Sequence, residues 1–558
     1  KDEEEYCRTH STHTHTHHIG YVRLLSEVLK FGMLSKVLYR SWGIAVRSLR
    51  SRSASLGPRL PAISSISAFS TGNAVAAPQH LVVDSPYHDV YAPPGEPTPF
   101  TSGPHDICQT HEPVSDAAAA LAALRRSRKT QRAWAADYSA EDRRAIITRF
   151  HEFLRRDADH LAARISRQMG KPLTQALGEV AGTAARVKAM VEMSVEALAD
   201  DEFLEAHGLY RRIVKEPVGV VLTLAPFNYP LLTAVNSIIP ALLAGNGVLI
   251  KHSPRTPLCG EDLADLLTEA GCPEGLVSAI HCEPDVIQGL FSRPELGFVS
   301  FTGSVASGRS VYASLAQRSF LDCTLELGGK DAAYVARDAD MSTAVATIVD
   351  GAIFNAGQSC CGMERAYVHE SKLDEFLSRA STLLSEYVLG DPFDEKTTLG
   401  PMALPTAPAF LKAQVDDAVS KSAQLICGGS PTCDHNGFGR FFQPTLLAYC
   451  NHNMDVMKEE SFGPLLAVQT VGSDEEAVAL MNDSNYGLTA ALFTQDRELA
   501  MRLAPQLEVG TVFLNRCDFL DPHLPWSGVK DTGKGISLSK YGFRGVTKLK
   551  GYNFRVGQ

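Results

Sequence analysis

The sequence predicts an α/β protein with two domains, each built on a largely parallel sheet that helices cover on both faces. Short apolar runs recur about every 25 residues between residues 218 and 327, and segments with helical patterning separate them. A second series of the same kind follows from Ala332. Short buried strands that alternate with helices indicate βαβ units, whose parallel strands are shielded from water.

Composition agrees with this fold class and excludes several others. The chain has 558 residues, 44% of them hydrophobic and 21% charged, as in globular proteins rather than disordered or collagen-like ones. Its net charge of -10 provides no basic field that would recruit nucleic acid. The cysteine count of 12 is too low for a disulfide scaffold in a chain of this length, so we expect reduced thiols.

One uncharged stretch resembles a membrane span at first sight. No charged residue lies between Glu216 and Lys251. However, Pro226, Pro230 and Pro240 divide the stretch into pieces too short to cross roughly 30 Å of hydrocarbon. We therefore expect buried core here and no membrane partner.

The N-terminal part differs in character from the rest. Residues 1–32 contain a His/Thr tract, which we interpret as a low-complexity or misassigned extension rather than a metal site. Residues 33–75 are rich in arginine and serine, contain no acid, and separate basic from apolar side chains on a helix. This pattern predicts a mitochondrial transit peptide and a matrix location. The alternative is a solvated leader on a cytoplasmic protein.

Capping signals and periodicity place the first elements. A helix is predicted from Ser115, and a second after Ser139, where Asp142 completes a capping-box spacing. The predicted strands are Val218–Leu224, Val248–Ile250, Val277–Ile280, Phe298–Phe301 and Thr324–Leu327. Further predicted helices are Pro240–Leu243, Asp262–Thr268 and Ser342–Phe354.

A cysteine in an unusual position is the first candidate catalytic residue. Cys360 follows a Gly-Gln-Ser turn after a predicted helix and directly precedes Cys361. A buried cysteine is usually a small apolar packing residue. At the end of a helix, however, a cysteine can gain the thiolate character that a nucleophile needs. Both interpretations, nucleophile and packing residue, are open.

An acid at the end of a predicted buried strand is the second candidate. Glu326 is followed by Leu-Gly-Gly and then Lys330. A buried carboxylate is costly unless it is paired or used in chemistry. Glu326 is therefore either a catalytic acid or half of an ion pair with Lys330 or Arg365.

The third candidate is a side-chain amide at a strand end. Asn228 lies between Pro226 and Pro230, just after the predicted strand Val218–Leu224. Ligands bind at the carboxyl ends of parallel strands, and a neutral amide donor suits a developing oxyanion. The alternative is a rigid turn without a catalytic role.

Three further segments point to a nucleotide. Phe301–Gly308 runs from a strand into a helix, whose first N–H groups would attract a pyrophosphate, although the spacing is not G-x-G-x-x-G. Lys251 ends a strand and is a candidate ribose or phosphate contact. Glu460 and Phe462 combine an acid with an aromatic before a proline, and are otherwise an ordinary loop.

Taken together, these segments resemble the NAD(P)-dependent aldehyde dehydrogenase superfamily from about residue 112 to the C-terminus. Their order matches, and Glu326 precedes Cys360 by the spacing typical of the family's acid and nucleophile. Gly510–Asn515 and Pro525–Lys530 also resemble late signatures of the family. The resemblance implies two doubly wound α/β domains, one for the cofactor and one for catalysis, and a small β oligomerisation arm.

The resemblance also implies domain limits. The NAD(P)-binding domain would span 112–325 and the catalytic domain 326–525. The oligomerisation arm would combine a hairpin near 208–216 with a C-terminal strand in 546–558.

Each candidate residue acquires an implied role. Cys360 would be the nucleophile, Glu326 the general base, and Asn228 a donor in the oxyanion hole. The implied cofactor contacts are Phe227, Lys251, Ser253, Gly303, Ser304, Gly308, Leu327, Glu460 and Phe462. No metal ion is implied.

The implied reaction oxidises an aldehyde to a carboxylate through a thiohemiacetal and a thioester on Cys360, and water activated by Glu326 hydrolyses the thioester. A CoA-acylating semialdehyde dehydrogenase is an alternative, but there the thioester must survive until a thiol arrives, so Glu326 argues against it. A catalytically silent nucleotide-binding or structural protein on the same fold is a second alternative. A papain-like thiol hydrolase is a third, without a His-containing motif to support it.

The resemblance also implies a cofactor and binding partners. NAD is favoured, with NADP as the alternative, because Pro254 stands where many NAD-using members carry a glutamate after the lysine. A carboxylate there would bind the ribose 2′-OH and repel a 2′-phosphate, and proline does neither. The expected partners are a small-molecule aldehyde and further copies of the chain, in a homodimer or homotetramer.

The charged and aromatic residues of the late loop are expected to be solvated or to form a polar substrate mouth: Arg516, Asp518, Asp521 and Trp526.

Overall fold

A computed structural model describes residues 116–206, 208–434 and 440–555 of the chain. The predicted extension at 1–32 and the predicted transit peptide at 33–75 lie outside the described residues. Within the described ranges, no helix is both long enough and apolar enough to cross a lipid bilayer.

The helices are numbered in chain order over the described residues. They are α1 (Ala117–Asp137), α2 (Ala140–Arg156), α3 (Ala158–Met169), α4 (Leu173–Ala197), α5 (Val235–Leu243), α6 (Pro257–Glu269), α7 (Pro284–Leu290), α8 (Val305–Arg318), α9 (Met341–Ile353), α10 (Leu373–Leu384), α11 (Ala407–Ser420), α12 (Asp474–Asn482) and α13 (Arg497–Leu503). The capping box is confirmed, since Ser139 and Asp142 bond each other's backbone N–H groups at the start of α2.

The strands are numbered in the same way. They are β1 (Asp201–Ala206), β2 (Leu209–Pro217), β3 (Val220–Ala225), β4 (Gly247–His252), β5 (Val277–Ala279), β6 (Leu296–Thr302), β7 (Cys323–Glu326), β8 (Asp331–Val335), β9 (Met363–His369), β10 (Gln424–Cys427), β11 (Pro431–Thr432), β12 (Phe441–Phe442), β13 (Thr445–Ala448), β14 (Leu465–Val471), β15 (Thr489–Phe493), β16 (Thr511–Leu514), β17 (Gly533–Lys534) and β18 (Thr547–Arg555).

The first large sheet has the order β17-β7-β6-β3-β4-β5 and is parallel except for β17. Helices α2 to α6 contribute to the apolar core on one face and α7 and α8 to that on the other, while α1 contributes to both. A parallel sheet buried on both faces explains why its strands are continuous apolar runs. The predicted α/β fold of this part is confirmed.

The second large sheet has the order β10-β13-β14-β9-β8-β15-β16, and only β10 is antiparallel. The chain passes from the first sheet to the second within residues 327–330, directly after β7. It returns to the first sheet at β17, so residues beyond 525 complete the first sheet.

A small antiparallel sheet has the order β1-β2-β18. Strands β2 and β18 coincide with the two segments expected to form an arm, and β1 lies before the first of these segments. Strand β18 pairs with β2 from Thr547 to Arg555 although the two segments are more than 300 residues apart in the chain.

One difference from the predicted elements is at α5, which was expected only from Pro240. The helix begins at Val235 and contains Pro240 in its interior. Proline removes one helical hydrogen bond, but eight of the helix's nine residues are buried, so packing outweighs the local preference.

Candidate active site

Nearly all the predicted site residues line one cavity at the carboxyl ends of β3, β4, β6 and β7. The cavity has a volume of about 810 Å³. It is lined by the three predicted catalytic residues, Asn228, Glu326 and Cys360. It is also lined by eight of the predicted cofactor contacts: Phe227, Lys251, Ser253, Gly303, Ser304, Leu327, Glu460 and Phe462.

Gly308 is the exception, since it does not line this cavity. It lies in the first turn of α8, where a side chain would run into Leu327. The absence of a side chain therefore lets α8 pack against the segment that leaves β7. Gly308 therefore contributes to packing at the site, and its predicted contact with the cofactor stays a prediction.

A tight left-handed segment presents Cys360 to the cavity. Asn355, Ala356 and Gly357 follow α9 with φ angles of 56°, 55° and 69°. A Cβ atom at Gly357 would overlap the carbonyl oxygen of Gly463, so only glycine fits there. Left-handed residues in succession are costly and persist only where packing holds them. Cys360 is half-buried beyond this turn.

The amide of Asn228 is fixed by hydrogen bonds on both sides. Its Nδ2 donates to the Gln358 carbonyl at 3.1 Å. The backbone carbonyl of Asn228 accepts from Lys171 Nζ at 2.8 Å and from Asn355 Nδ2 at 3.0 Å, so the main chain that carries the amide is held as well. One N–H of Nδ2 is used and the second is available to a ligand. The backbone N–H of Cys360 likewise has no partner among the described residues.

Glu326 is a buried carboxyl group with one hydroxyl partner. It ends β7, and its Oε1 accepts a hydrogen bond from Ser537 Oγ at 2.7 Å. Burial raises the pKa of Glu326 to about 7, against the lowering effects of the Ser537 bond and the charge of Arg186. A carboxyl group that titrates near neutral pH is suited to general base catalysis.

The ion-pair interpretation of Glu326 is wrong. Lys330 pairs with Glu364 at 2.5 Å, and both side chains are buried. Arg365 donates to the Lys330 carbonyl at 2.9 Å, and its other bonds go to neutral groups. Glu364 also accepts from the backbone N–H of Phe462 at 2.8 Å, so the pair holds the 460–462 loop.

Glu460 and Phe462 form one wall of the cavity. Glu460 Oε1 accepts from the Gly329 N–H at 3.0 Å, and burial raises the pKa of this carboxyl to about 8. The Phe462 ring meets Phe227 edge-on, with centroids 6.0 Å apart. The acid and the aromatic are thus held together by the chain's own backbone.

The other end of the cavity has the donors that a dinucleotide requires. Lys251 is the penultimate residue of β4, and burial lowers the pKa of its ammonium. Ser304 caps α8 and accepts from the Ser307 N–H, and both serines line the cavity, so the N-terminus of this helix borders it. Helix N-termini bind phosphate groups. This end of the cavity thus combines a cation, a helix N-terminus and a glycine close to the ends of strands. These features are suited to binding a nucleotide cofactor.

Comparison with known proteins agrees with this geometry. Residues 104–551 match the model of the aldehyde dehydrogenase family. The chain belongs to the aldehyde dehydrogenase family. The expected oxidation of aldehydes with NAD(P) is confirmed at this level, and the alternative of a catalytically silent protein has no support.

Individual relatives cover most of the chain. The succinate-semialdehyde dehydrogenase [NADP(+)] of Deinococcus radiodurans is 36% identical over 438 residues, which are 78% of this chain and 91% of that protein. The mitochondrial aldehyde dehydrogenase of Homo sapiens is 32% identical over 86% of this chain and 92% of that protein. The crystal structure of succinate-semialdehyde dehydrogenase from Burkholderia pseudomallei superposes with a TM-score of 0.77 at 32% identity, over 80% of this chain and 92% of that one.

Several residues that organise this aldehyde dehydrogenase site were not predicted. Ser537 reaches Glu326 from a segment 211 positions away in the chain. Gln358 and Asn355 bond each other and Asn228, and Lys171 holds the Asn228 carbonyl. These polar side chains have no shared spacing or motif, so sequence pattern alone has no signal for them.

Two of the four late-loop residues, Asp518 and Trp526, are less solvated than expected. Asp518 accepts a hydrogen bond from Cys361 Sγ at 2.9 Å, and burial raises the pKa of Asp518 to about 7. Trp526 is part of the apolar core, and Arg516 stacks on Phe519. Asp518 thus contacts the second cysteine, while Arg516 and Asp521 are exposed to water, as expected for loop charges.

Proposed function

We propose that Cys360 is the nucleophile, Asn228 an oxyanion donor and Glu326 the general base of this aldehyde dehydrogenase. The observation that carries the proposal is that these three side chains, from three separate elements, line one cavity. No other described cysteine shares that cavity. A nucleophile, a neutral donor and a carboxyl group that titrates near pH 7 are the groups that acyl chemistry needs.

The first step is attack of the Cys360 thiolate on the carbonyl carbon of the aldehyde. A C–S bond forms, and the carbonyl oxygen becomes an oxyanion. The second N–H of Asn228 and the backbone N–H of Cys360 stabilise this oxygen, and one such donor is typically worth about 2.7–4 kcal/mol. A neutral donor suits the step because the oxyanion must remain electron-rich enough to expel hydride.

A nicotinamide cofactor, held by the residues named below, would supply the acceptor for this hydride. Cys360 is left as a thioester, which must be hydrolysed before the next turnover. Glu326 removes a proton from water, the hydroxide adds to the acyl carbon, and the C–S bond breaks to release a carboxylate. General base catalysis of this kind contributes about 10²–10⁴-fold.

The residues around the cavity would hold the cofactor at both ends. Lys251 and Ser253 would meet the adenosine ribose, and Ser304 with Gly303 would lie against the pyrophosphate. Glu460 and Phe462 would hold the nicotinamide end. We propose that both NAD and NADP are accepted, because Pro254 lines this end of the cavity and brings no carboxylate to repel a 2′-phosphate. The Deinococcus relative is named for NADP(+).

A panel of aldehydes assayed with NAD and NADP in parallel tests the function. We expect absorbance of the reduced cofactor at neutral pH without added CoA, because water activated by Glu326 hydrolyses the thioester. Product formation only in the presence of CoA would replace the proposal by the CoA-acylating alternative. No oxidation of any aldehyde with either cofactor would reject it.

The Ser537→Ala variant is expected to move the pH dependence of thioester hydrolysis to higher pH. Burial raises the pKa of Glu326 and the Ser537 hydroxyl lowers it, so loss of the hydroxyl leaves burial less opposed. Since Glu326 acts as a base only when it is deprotonated, the rise in rate near about pH 7 shifts to the alkaline side. Single-turnover hydrolysis rates across pH measure the midpoint.

Ser539→Ala is the matched control, because the Ser539 hydroxyl accepts a hydrogen bond from the Tyr541 N–H instead. Its midpoint should equal that of the unmodified enzyme. An equal midpoint in the Ser537 variant would show that the hydroxyl does not control the carboxyl group.

Location and assembly extend the proposal. We propose a mitochondrial protein whose presequence lies in residues 33–75, supported by their composition and by relatives that are named mitochondrial. Imaging of the full chain with a C-terminal tag tests this, and exclusion of the tag from mitochondria would contradict it.

We also propose that β1, β2 and β18 join copies of the chain in a dimer or tetramer. Light scattering measures the mass of the assembly.

A further inference from the structure

A buried arginine lies beside the loop that carries Asn228. Arg186 is on α4 and is 5% exposed. Its Nη1 donates to the Leu232 carbonyl and to Asn236 Oδ1, both at 2.9 Å. Asn236 is on α5, so Arg186 joins two helices next to the active-site loop.

The segment that Arg186 contacts borders the catalytic cavity. Thr233 lines that cavity together with Asn228 and Cys360. The Asn236 N–H bonds the Thr233 carbonyl, so the two residues are one helical turn apart. Leu232, Thr233 and Asn236 are half-buried, whereas Ala234, Val235 and Ser237–Leu243 are buried. The half-buried residues therefore form the open face of this turn.

The guanidinium group has more donors than the protein uses. Nε and Nη2 of Arg186 have no hydrogen-bond partner among the described residues. Neither nitrogen is among the described polar atoms that are fully buried and lack a hydrogen-bond partner. Both nitrogens therefore border open space. Three N–H groups are thus free to meet a ligand.

Arg186 also has no carboxylate partner among the described residues. The nearby Glu179 is paired with Lys171 at 2.5 Å and accepts from the Leu231 N–H at 3.0 Å. Glu326 accepts from Ser537. Burial lowers the pKa of Arg186 to about 10, and the charges of Cys361, Glu179, Glu326 and Cys360 only partly oppose this lowering. A buried cation without a counter-ion is costly, and an anionic ligand would offset that cost.

We propose that Arg186, with Asn236, binds a carboxylate at the end of the substrate opposite the aldehyde. The inference rests on the proposed function and narrows its substrate class to aldehydes with a terminal carboxylate. A planar guanidinium with free Nε and Nη2 donors matches the two oxygens of a carboxylate. Asn236 Oδ1 holds the guanidinium in place.

The test compares two carboxylated aldehydes, succinate semialdehyde and glutarate semialdehyde, with uncharged butanal and pentanal of matching chain length. The ratio of kcat/KM values between matched pairs is measured, because the ratio cancels any general loss of activity. We expect the unmodified enzyme to favour the carboxylated aldehydes by about 10- to 100-fold. Arg186→Met should bring that ratio to about one.

A second variant keeps the cation and adds a competing anion. Asn236→Asp places a carboxylate where the guanidinium already has a hydrogen bond, so it should also lower the ratio by about tenfold or more. This variant tests the proposal even if the Arg186→Met protein does not fold. Arg143→Met is the matched control, since Arg143 bonds the Leu243 and Tyr138 carbonyls away from the cavity. It should keep the full ratio.

The outcomes separate the inference from the function on which it rests. A folded Arg186→Met enzyme that keeps the preference would overturn the inference. A preference for uncharged aldehydes in the unmodified enzyme would also overturn it while leaving aldehyde oxidation intact. Failure to oxidise any aldehyde would instead reject the proposed function.

Discussion

Replacement of Cys360 by alanine is expected to abolish formation of the reduced cofactor from every aldehyde tested. The other described cysteines do not line the cavity, so no second thiol can take over the attack on the carbonyl. Loss of a nucleophile that forms a covalent intermediate typically costs at least about 10⁴-fold in kcat. Binding of NAD or NADP, measured by calorimetry, should persist because the residues proposed to hold the cofactor remain.

Cys361→Ala is the control for this experiment. Cys361 is buried, and its thiol bonds Asp518 rather than facing the cavity. The Cys360 hydrogen bond and burial hold the pKa of Cys361 well above its usual range, so it is a poor nucleophile. The control should keep most of the turnover. Turnover in Cys360→Ala, or its loss only in Cys361→Ala, would assign the chemistry to another thiol.

Replacement of Glu326 by glutamine should separate the two halves of the reaction. The aldehyde is still oxidised once, because Cys360 and Asn228 are unchanged, but no base activates water. A burst of one reduced cofactor per active site should be followed by turnover about 10²–10⁴-fold slower. Mass spectrometry should find an acyl group on the peptide that contains Cys360.

The double variant that combines Glu326→Gln with Cys360→Ala should carry no acyl group, which locates the adduct. In the unmodified enzyme, hydrolysis should rise with pH through about 7, because burial raises the pKa of Glu326 to about 7 and the base must lose its proton. Glu326→Gln should lack this rise. Steady turnover without an adduct would remove Glu326 from the base role.

Much of the site could be anticipated because its residues stand at strand ends. Asn228 follows β3, Lys251 is in β4, and Glu326 ends β7, and parallel strands bring their carboxyl ends to one edge. A βαβ rhythm therefore already predicts that such residues converge. Cys360 joined them only through the resemblance to a family, since a helix followed by a turn does not reveal where the turn points.

Other features could not be anticipated for reasons of packing. Gly308 was expected to contact the cofactor, yet it is placed so that Leu327 can pack against α8. The choice between an ion pair and a free carboxyl at Glu326 depended on where Lys330 points, and Lys330 points to Glu364. The rotamer of a side chain and its hydrogen-bond partners depend on packing across the whole fold.

The sequence by itself determined the alternation of strands and helices, the chemical types at the strand ends and the family, since each is encoded locally by periodicity or by short motifs. The tertiary structure decided which groups surround each carboxyl and cation. Ser537 meets Glu326, and Arg186 meets Asn236 with donors to spare, because elements distant in the chain pack side by side. Burial and partner geometry, which set the pKa of Glu326 and the charge left unpaired at Arg186, exist only after that packing.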